Sequence, residues 1–432
     1  MTIPDIQYHR TKLRNGLEVL LAPMPKSPTV TAIIIFKIGS RYEPGKYLGM
    51  SHYLEHMVFK GNDIFRTPHE VAAVVDALGG SYNAFTTKEF TGFYIKVGAE
   101  FLDTALKWLG ALVTEPLIKT QDMEMERKVI LEEINMYNDT PMMQIGDIFE
   151  ELVFSGAVLG RNIIGSKQTL HRVKRTTLVN HFQKNYFPAN AILVLAGNLG
   201  KLSSKSKEIS PTGYFKFGNR NIGILDKPVK TVKAGKEKVK IAYKKTDQTH
   251  LILGAKAFSY FDKRRYPLAV ISAIMGGGMS SWAFTEIREK RGLAYYVRSS
   301  SELYKDAGSY LINAGLNNDK LELAIKEIAK LFRRVRTKLA SQKELKRAKD
   351  HIIGGTLLER ETSSDVAFIL GSEMASRGTV TPLSQEVKII SGVTRSEIKR
   401  IAEEFFAPEK LRLAMIGPWK AKDKKRFERL LG

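Results

Sequence analysis

The sequence predicts an α+β protein of two homologous half-domains, each a mainly antiparallel sheet with packed helices, the pair forming a clamshell. Three observations carry this expectation. Segments rich in β-branched residues come in hairpin-like pairs, separated by runs with helical periodicity. The same order of segments returns in the second half of the chain. The recurrence also reaches single residues: Val173-Lys174-Arg175-Thr176-Thr177-Leu178 matches Val393-Thr394-Arg395-Ser396-Glu397-Ile398, Pro188 matches Pro408, and Gly197 matches Gly417, all at an offset of 220. The chain is an internal duplication, and such halves commonly enclose a site between them.

Taken in order, Tyr8 to Leu13 and Leu17 to Leu21 read as a strand pair turned at Asn15-Gly16. Thr29 to Ile38 is β-branched and long enough for a central strand. A short helix follows, ended by Gly61. Thr67-Pro68-His69-Glu70 then starts another, with Thr67 as N-cap, Pro68 in the first turn and Glu70 closing a capping box. His69 is read as an exposed first-turn residue. Beyond Gly79-Gly80 come strands at Ser81 to Lys88 and Phe90 to Val97. Helices follow at Leu102 to Val113, Met123 to Tyr137, Gln144 to Phe154 and Val173 to Tyr186, then a strand at Ala191 to Ala196. After the lysine-rich stretch from Lys201 to Lys245 the order returns. Leu251 to Ala257 is a strand, Tyr266 to Met275 a helix, Gly276-Gly277-Gly278 a break and Ser280 to Arg291 a helix. Strands at Ala294 to Ser301 and Gly308 to Leu316 precede a long helix, Lys320 to Leu339. The expected division is 1–215 as the first half, 216–245 as a linker region and 246–432 as the second half.

Composition excludes several classes. With 432 residues, 43% of them hydrophobic, the chain has material for proper cores. It has no apolar run long enough to span a membrane and no signal-like start, so a cytoplasmic location is expected. Cysteine is absent, so any metal must be held by His, Asp or Glu. The net charge of +23 suits anionic partners, but the lysines are spread along the chain without interleaved aromatics, which argues against nucleic-acid binding.

The chemistry concentrates in Gly49 to Gly61. On a helix, His52 and His56 share one face and Glu55 projects close to it. Two neutral imidazoles are good Zn²⁺ ligands, and a carboxylate beside them can act as the base for a water. The order His-x-x-Glu-His inverts the commoner His-Glu-x-x-His. A catalytic zinc also needs a third ligand. Glu126 and Glu133 lie seven residues apart on one helical face with Val129 and Ile130 between them, where a carboxylate is costly unless a cation compensates it. Glu133 is read as the ligand, and Glu132 as a solvated charge.

These residues resemble the pitrilysin family of inverzincin metallopeptidases, in its short, processing-peptidase-like branch. The resemblance covers essentially the whole chain, including Gly80 to Thr86 and the duplication. It implies one Zn²⁺ per chain on His52, His56 and Glu133, which is 77 residues beyond His56. It further implies Glu126 in the outer shell and the edge Asn83-Ala84-Phe85 as a substrate-binding strand. From the second half it implies Arg288 and Tyr295, seven apart, holding substrate and stabilising the oxyanion. Trp282-Ala283 stands where relatives usually have Arg-Leu, a departure expected to bear on side-chain preference near the cleft.

The function implied is that of a zinc metalloendopeptidase for peptides or unfolded segments, with Glu55 as general base. A homodimer is expected. Basic presequences are poor candidates as substrates of a chain at +23. The rival expectation is a catalytically inactive scaffold or binding protein of the same fold.

Overall fold

The computed structural model describes residues 5–200, 213–217 and 237–431. They form two compact units, each discontinuous in sequence. One gathers Met1–Asn135, Asn162–Pro228 and Leu357–Leu383. The other gathers Met136–Arg161, Val229–Thr356 and Ser384–Gly432.

The first part of the chain lays down β1 (His9–Lys12), β2 (Glu18–Pro23), β3 (Thr29–Phe36), α1 (Met50–Val58), α2 (Pro68–Ala77), β4 (Ser81–Thr86) and β5 (Thr91–Gly98). Helices α3 (Leu102–Thr114), α4 (Thr120–Asp139), α5 (Pro141–Val153), α6 (Lys167–Arg172) and α7 (Arg175–Asn185) lead to β6 (Ala191–Gly197). The second part gives β7 (Val239–Tyr243), β8 (Gln248–Ala257), α8 (Arg265–Gly276), β9 (Ala294–Leu303), β10 (Gly308–Asn317) and α9 (Leu321–Thr337). It closes with α10 (Gln342–Leu358), α11 (Ser363–Arg377), α12 (Leu383–Gly392), α13 (Arg395–Phe405), β11 (Leu411–Gly417) and α14 (Lys424–Glu428).

The first sheet has the order β1-β2-β6-β3-β5-β4, and the second the order β7-β11-β8-β10-β9. Setting β2 against β7 aligns every later strand, so the second sheet repeats the first without β1. Each sheet carries one parallel pair, β2 with β6 and β7 with β11, among antiparallel neighbours. The offset of 220 extends to the elements themselves: α7 and α13 start at Arg175 and Arg395, and β6 and β11 end at Gly197 and Gly417. Both β6 and β11 are buried along all seven residues, as a strand covered on both faces must be.

One of those covering layers has crossed between the halves. Helix α11, from the second half of the sequence, packs Val366, Ala367, Leu370 and Met374 on Ile33, Ile35 and Val194 of the first sheet. Helix α5, from the first half, packs Ile145, Phe149 and Leu152 on Ile252, Ala414 and Ile416 of the second. The opposite face of the second sheet buries the larger core, under α8, α9 and α13.

Several local expectations change. Thr67 accepts the Glu70 N–H at 3.2 Å, but the Glu70 carboxylate takes the Arg66 N–H, so the capping box is only half made. The predicted helix Ser280 to Arg291 winds as a π-helix over Phe284–Glu289. Two of the three glycines in the triplet are tightly packed: a Cβ on Gly276 would lie 2.5 Å from the Ser299 nitrogen and one on Gly277 2.7 Å from the Ala273 Cα. β7 lies inside the stretch read as a linker, and the lysine-rich run before it falls largely outside the described residues.

Candidate metal centre

Helix α1 is short and its ends are held from outside. Gly49 caps it in the left-handed region, at φ 91°, and a Cβ there would meet the Ile164 carbonyl oxygen at 2.4 Å, so only glycine fits. The buried Glu43 carboxyl accepts the N–H groups of Gly49 at 2.7 Å and Ser51 at 2.5 Å, which satisfies free donors at the start of the helix. Ser51 Oγ lies 3.2 Å from Nε2 of the buried His181, whose Nδ1 is met by the Asn185 amide at 3.0 Å. The inner face of the helix is apolar, with Tyr53, Leu54, Met57 and Val58 fully buried. His52, Glu55 and His56 are left on the partly open face.

Helix α4 supplies the third donor. Glu133 Oε2 stands 3.7 Å from His52 Nε2 and 3.6 Å from His56 Nε2. The three form the metal-competent group among the described residues. Tetrahedral zinc with bonds of ~2.0–2.1 Å needs donor atoms roughly 3.3–3.4 Å apart, so a small inward movement of the side chains accommodates the ion. The donor chemistry agrees. Burial, helped by the charge of His56, pushes the His52 imidazole down to about 3, so the ring is neutral at any ordinary pH, the form that can ligate a metal. Burial raises the Glu133 carboxyl above its ordinary pKa, against the pull of His56. His52 Nδ1 is buried with no hydrogen-bond partner among the described residues.

His56 is oriented from behind. Its Nδ1 lies 2.9 Å from Glu126 Oε1, which fixes the proton on Nδ1 and leaves the Nε2 lone pair facing Glu133. The other Glu126 oxygen pairs with Lys60. Burial works to raise Glu126, but the hydrogen bonds from His56 and Lys60 outweigh it and hold the carboxylate below its usual range. Glu55, the sequence-predicted base, receives a hydrogen bond from the Thr86 hydroxyl. Its carboxyl is raised, first by burial and further by the Glu133 charge, with Thr86 and His56 opposing. Sequence reasoning missed Thr86, Lys60 and Glu43. Thr86 was legible in part, since the β4 alternation puts it on the face of Tyr82, which packs against Phe59 and Trp108.

Strand β4 is the open edge of the first sheet. Asn83 Oδ1 accepts the Ala84 N–H at 2.8 Å, on an edge where a peptide carbonyl could take its place. Phe85 lies on the face away from Tyr82 and Thr86, with its ring edge-on to Phe90, tilted against Phe368 and over Gly92, so it packs there. In the second unit, Arg288 sits on the π-helix with its guanidinium 4.9 Å from the Phe284 ring centre, and Glu286 pairs instead with Lys290 and Arg291. Tyr295, at the start of β9, is 75% exposed, which rules out a core role. Trp282 is 5% exposed, donates to Glu344 at 2.6 Å and carries Arg334 on its ring, so this departure from the relatives is absorbed by the core of its own unit.

An inverted His-x-x-Glu-His helix with a distant carboxylate beside both imidazoles, on a duplicated α+β frame, matches the donor arrangement of an inverzincin. Comparison agrees: residues 18–167 match the family described as Insulinase (Peptidase family M16), and residues 172–352 match the Peptidase M16 inactive domain. An "uncharacterized zinc protease" of Rickettsia felis is 33% identical over 95% of this chain and 98% of its own. One from Streptomyces coelicolor is 30% identical over 97% and 91%. The chain belongs to peptidase family M16, the pitrilysin family. Its fold is similar to that of a protease from Helicobacter pylori, with a TM-score of 0.87 and 23% identity over 96% of this chain and 100% of that one. No helix among the described residues is long and apolar enough to cross a membrane.

Proposed function

We propose that the protein is a zinc metalloendopeptidase acting on peptides or unfolded segments, with His52, His56 and Glu133 as the zinc ligands. The observation that carries the reading is the approach of Glu133 to both imidazoles within 3.7 Å, beside a carboxylate of raised pKa. Zinc bound there supplies a Lewis acid and a water of lowered pKa. Glu55 takes the proton and returns it to the leaving amine, a role suited to a carboxyl whose pKa burial raises. Thr86 holds the Glu55 carboxylate in place. Glu126 and Lys60 keep the His56 ring turned with Nε2 toward Glu133. Asn83 and Ala84 offer backbone pairing to an extended substrate, which favours no particular sequence. Arg288 and Tyr295 act on the substrate carbonyl, Tyr295 as donor to the developing oxyanion. The π-helical setting of Arg288 supports this assignment, because such turns recur at functional sites.

The match to an inactive-domain family falls on residues 172–352, which contain neither the histidine motif nor Glu133, and so does not favour an inert scaffold for the whole chain. A homodimer and a cytoplasmic location accompany the proposal, the former checked by light scattering. The deciding experiment is cleavage of an unstructured peptide library by wild type and by Glu55→Gln. Loss of about 10²–10⁴-fold in rate is expected of the variant. Equal products from both, or none from a zinc-loaded wild type, would favour the scaffold.

A further inference from the structure

The peptidase reading leaves the charge of +23 unexplained. Four of the second unit's cations line a cleft of about 200 Å³ between α9, the turn after α13 and the C-terminal residues. Its floor is the unit's own core: Phe332, Phe406, Leu411 and Leu431. Its rim is cationic, with Lys326, Lys330, Arg333 and Arg336 all contributed by α9. Lys330 is paired with Glu327 at 2.6 Å. Lys326, Arg333 and Arg336 make no ion pair among the described residues, and the buried Arg336 Nε has no hydrogen-bond partner there.

We propose that this cleft is a docking site for an acidic polypeptide segment, one bulky apolar side chain entering the recess while flanking carboxylates meet Lys326, Arg333 and Arg336. Size argues for this occupant. Pockets that enclose small ligands run to ~300–1,000 Å³, so this one holds a side chain and not a whole cofactor. Shape argues against a membrane. A membrane-binding face pushes apolar groups out into lipid, whereas here they lie recessed below the cations. Nucleic acid is disfavoured because the aromatic rings form the buried floor and offer no face for a base to stack on. Unpaired rim cations of one sign also select acidic partners by steering their approach. The site is separate from the metal centre, and its occupancy does not depend on the peptidase reading.

The test is fluorescence anisotropy with a labelled peptide, acetyl-Glu-Asp-Leu-Glu-Asp-amide, titrated with full-length Glu55→Gln protein so that nothing is cleaved. Binding should weaken at least about tenfold in Lys326→Glu/Arg333→Glu, two exposed positions whose reversal leaves the core intact. It should weaken by about the same factor when the peptide leucine becomes alanine. Lys12→Glu/Lys26→Glu, which changes net charge equally at exposed sites on the first unit, should bind like the parent. Equal loss in both charge-reversed proteins would overturn the proposal in favour of bulk electrostatics. Indifference to the leucine would also overturn it, as would tighter binding to phosphatidylglycerol vesicles or to oligo-dT than to the peptide.

Discussion

Removing the Glu126 side chain tests how the metal centre is held without touching a ligand. Glu126 is 6% exposed and serves two groups, the His56 Nδ1–H at 2.9 Å and the Lys60 ammonium. Outer-shell partners of ligating histidines typically contribute 10- to 100-fold in metal affinity, or ~1.4–2.7 kcal/mol. Glu126→Gln keeps an acceptor for the imidazole but loses its charge, so zinc affinity should fall about tenfold. Glu126→Ala leaves the imidazole free to turn and should lie near the hundredfold end. The assay is competition with a chelating dye on protein whose circular dichroism matches wild type. Lys60→Met provides the discriminating arm. Without Lys60, the Glu126 carboxylate turns its full charge on His56, so zinc affinity should hold. If Lys60→Met weakens zinc as much as Glu126→Ala, or if Glu126→Ala costs less than about threefold, the carboxylate merely buries a lysine and does not orient the ligand.

Three further outcomes are expected. Thr86→Val removes a hydrogen bond that lowers the Glu55 pKa, so the acid limb of kcat/KM should move to higher pH; an unchanged profile would exclude Glu55 as the ionisation being read. Glu43 is pushed up to about 7, chiefly by burial and against its bonds from Ser51 and Gly49. Its protonated form is therefore favoured by folding: the stability it contributes is complete below its unfolded value, near 4.5, and is lost as pH rises through about 7. Glu43→Gln should flatten this part of the thermal-stability profile, and parallel profiles for the two proteins would contradict the assignment. Tyr295→Phe should lower kcat by about 10²-fold with KM little changed, if its hydroxyl serves the oxyanion; a change confined to KM would make it a binding residue.

Much of this frame was legible because it is local or repetitive. The hairpin at Asn15-Gly16, the helix ended before Gly61 and the offset of 220 all follow from short-range signals that the fold respects. The Glu126–Glu133 spacing likewise marked one helical face, and the structure turns that face toward the two imidazoles. Periodicity says which face of a helix is apolar, but not which sheet receives it. The crossing of α5 and α11 was for that reason invisible, although both helices have ordinary apolar faces. Glu43, Lys60 and Thr86 were missed for a related reason. Each is an unremarked polar residue until the tertiary fold sets it against α1 or α4. Trp282 erred the other way, since a large residue in a motif invited a functional reading and the core claimed it.

The central claim is that His52, His56 and Glu133 together hold a zinc ion. Its most direct test is elemental analysis of the purified protein after zinc loading and dialysis, run beside His56→Ala and Glu133→Gln. About one zinc per chain is expected in wild type, and far less in each variant while its fold is retained. A wild type that retains no zinc, or variants that retain as much as it does, would contradict the account.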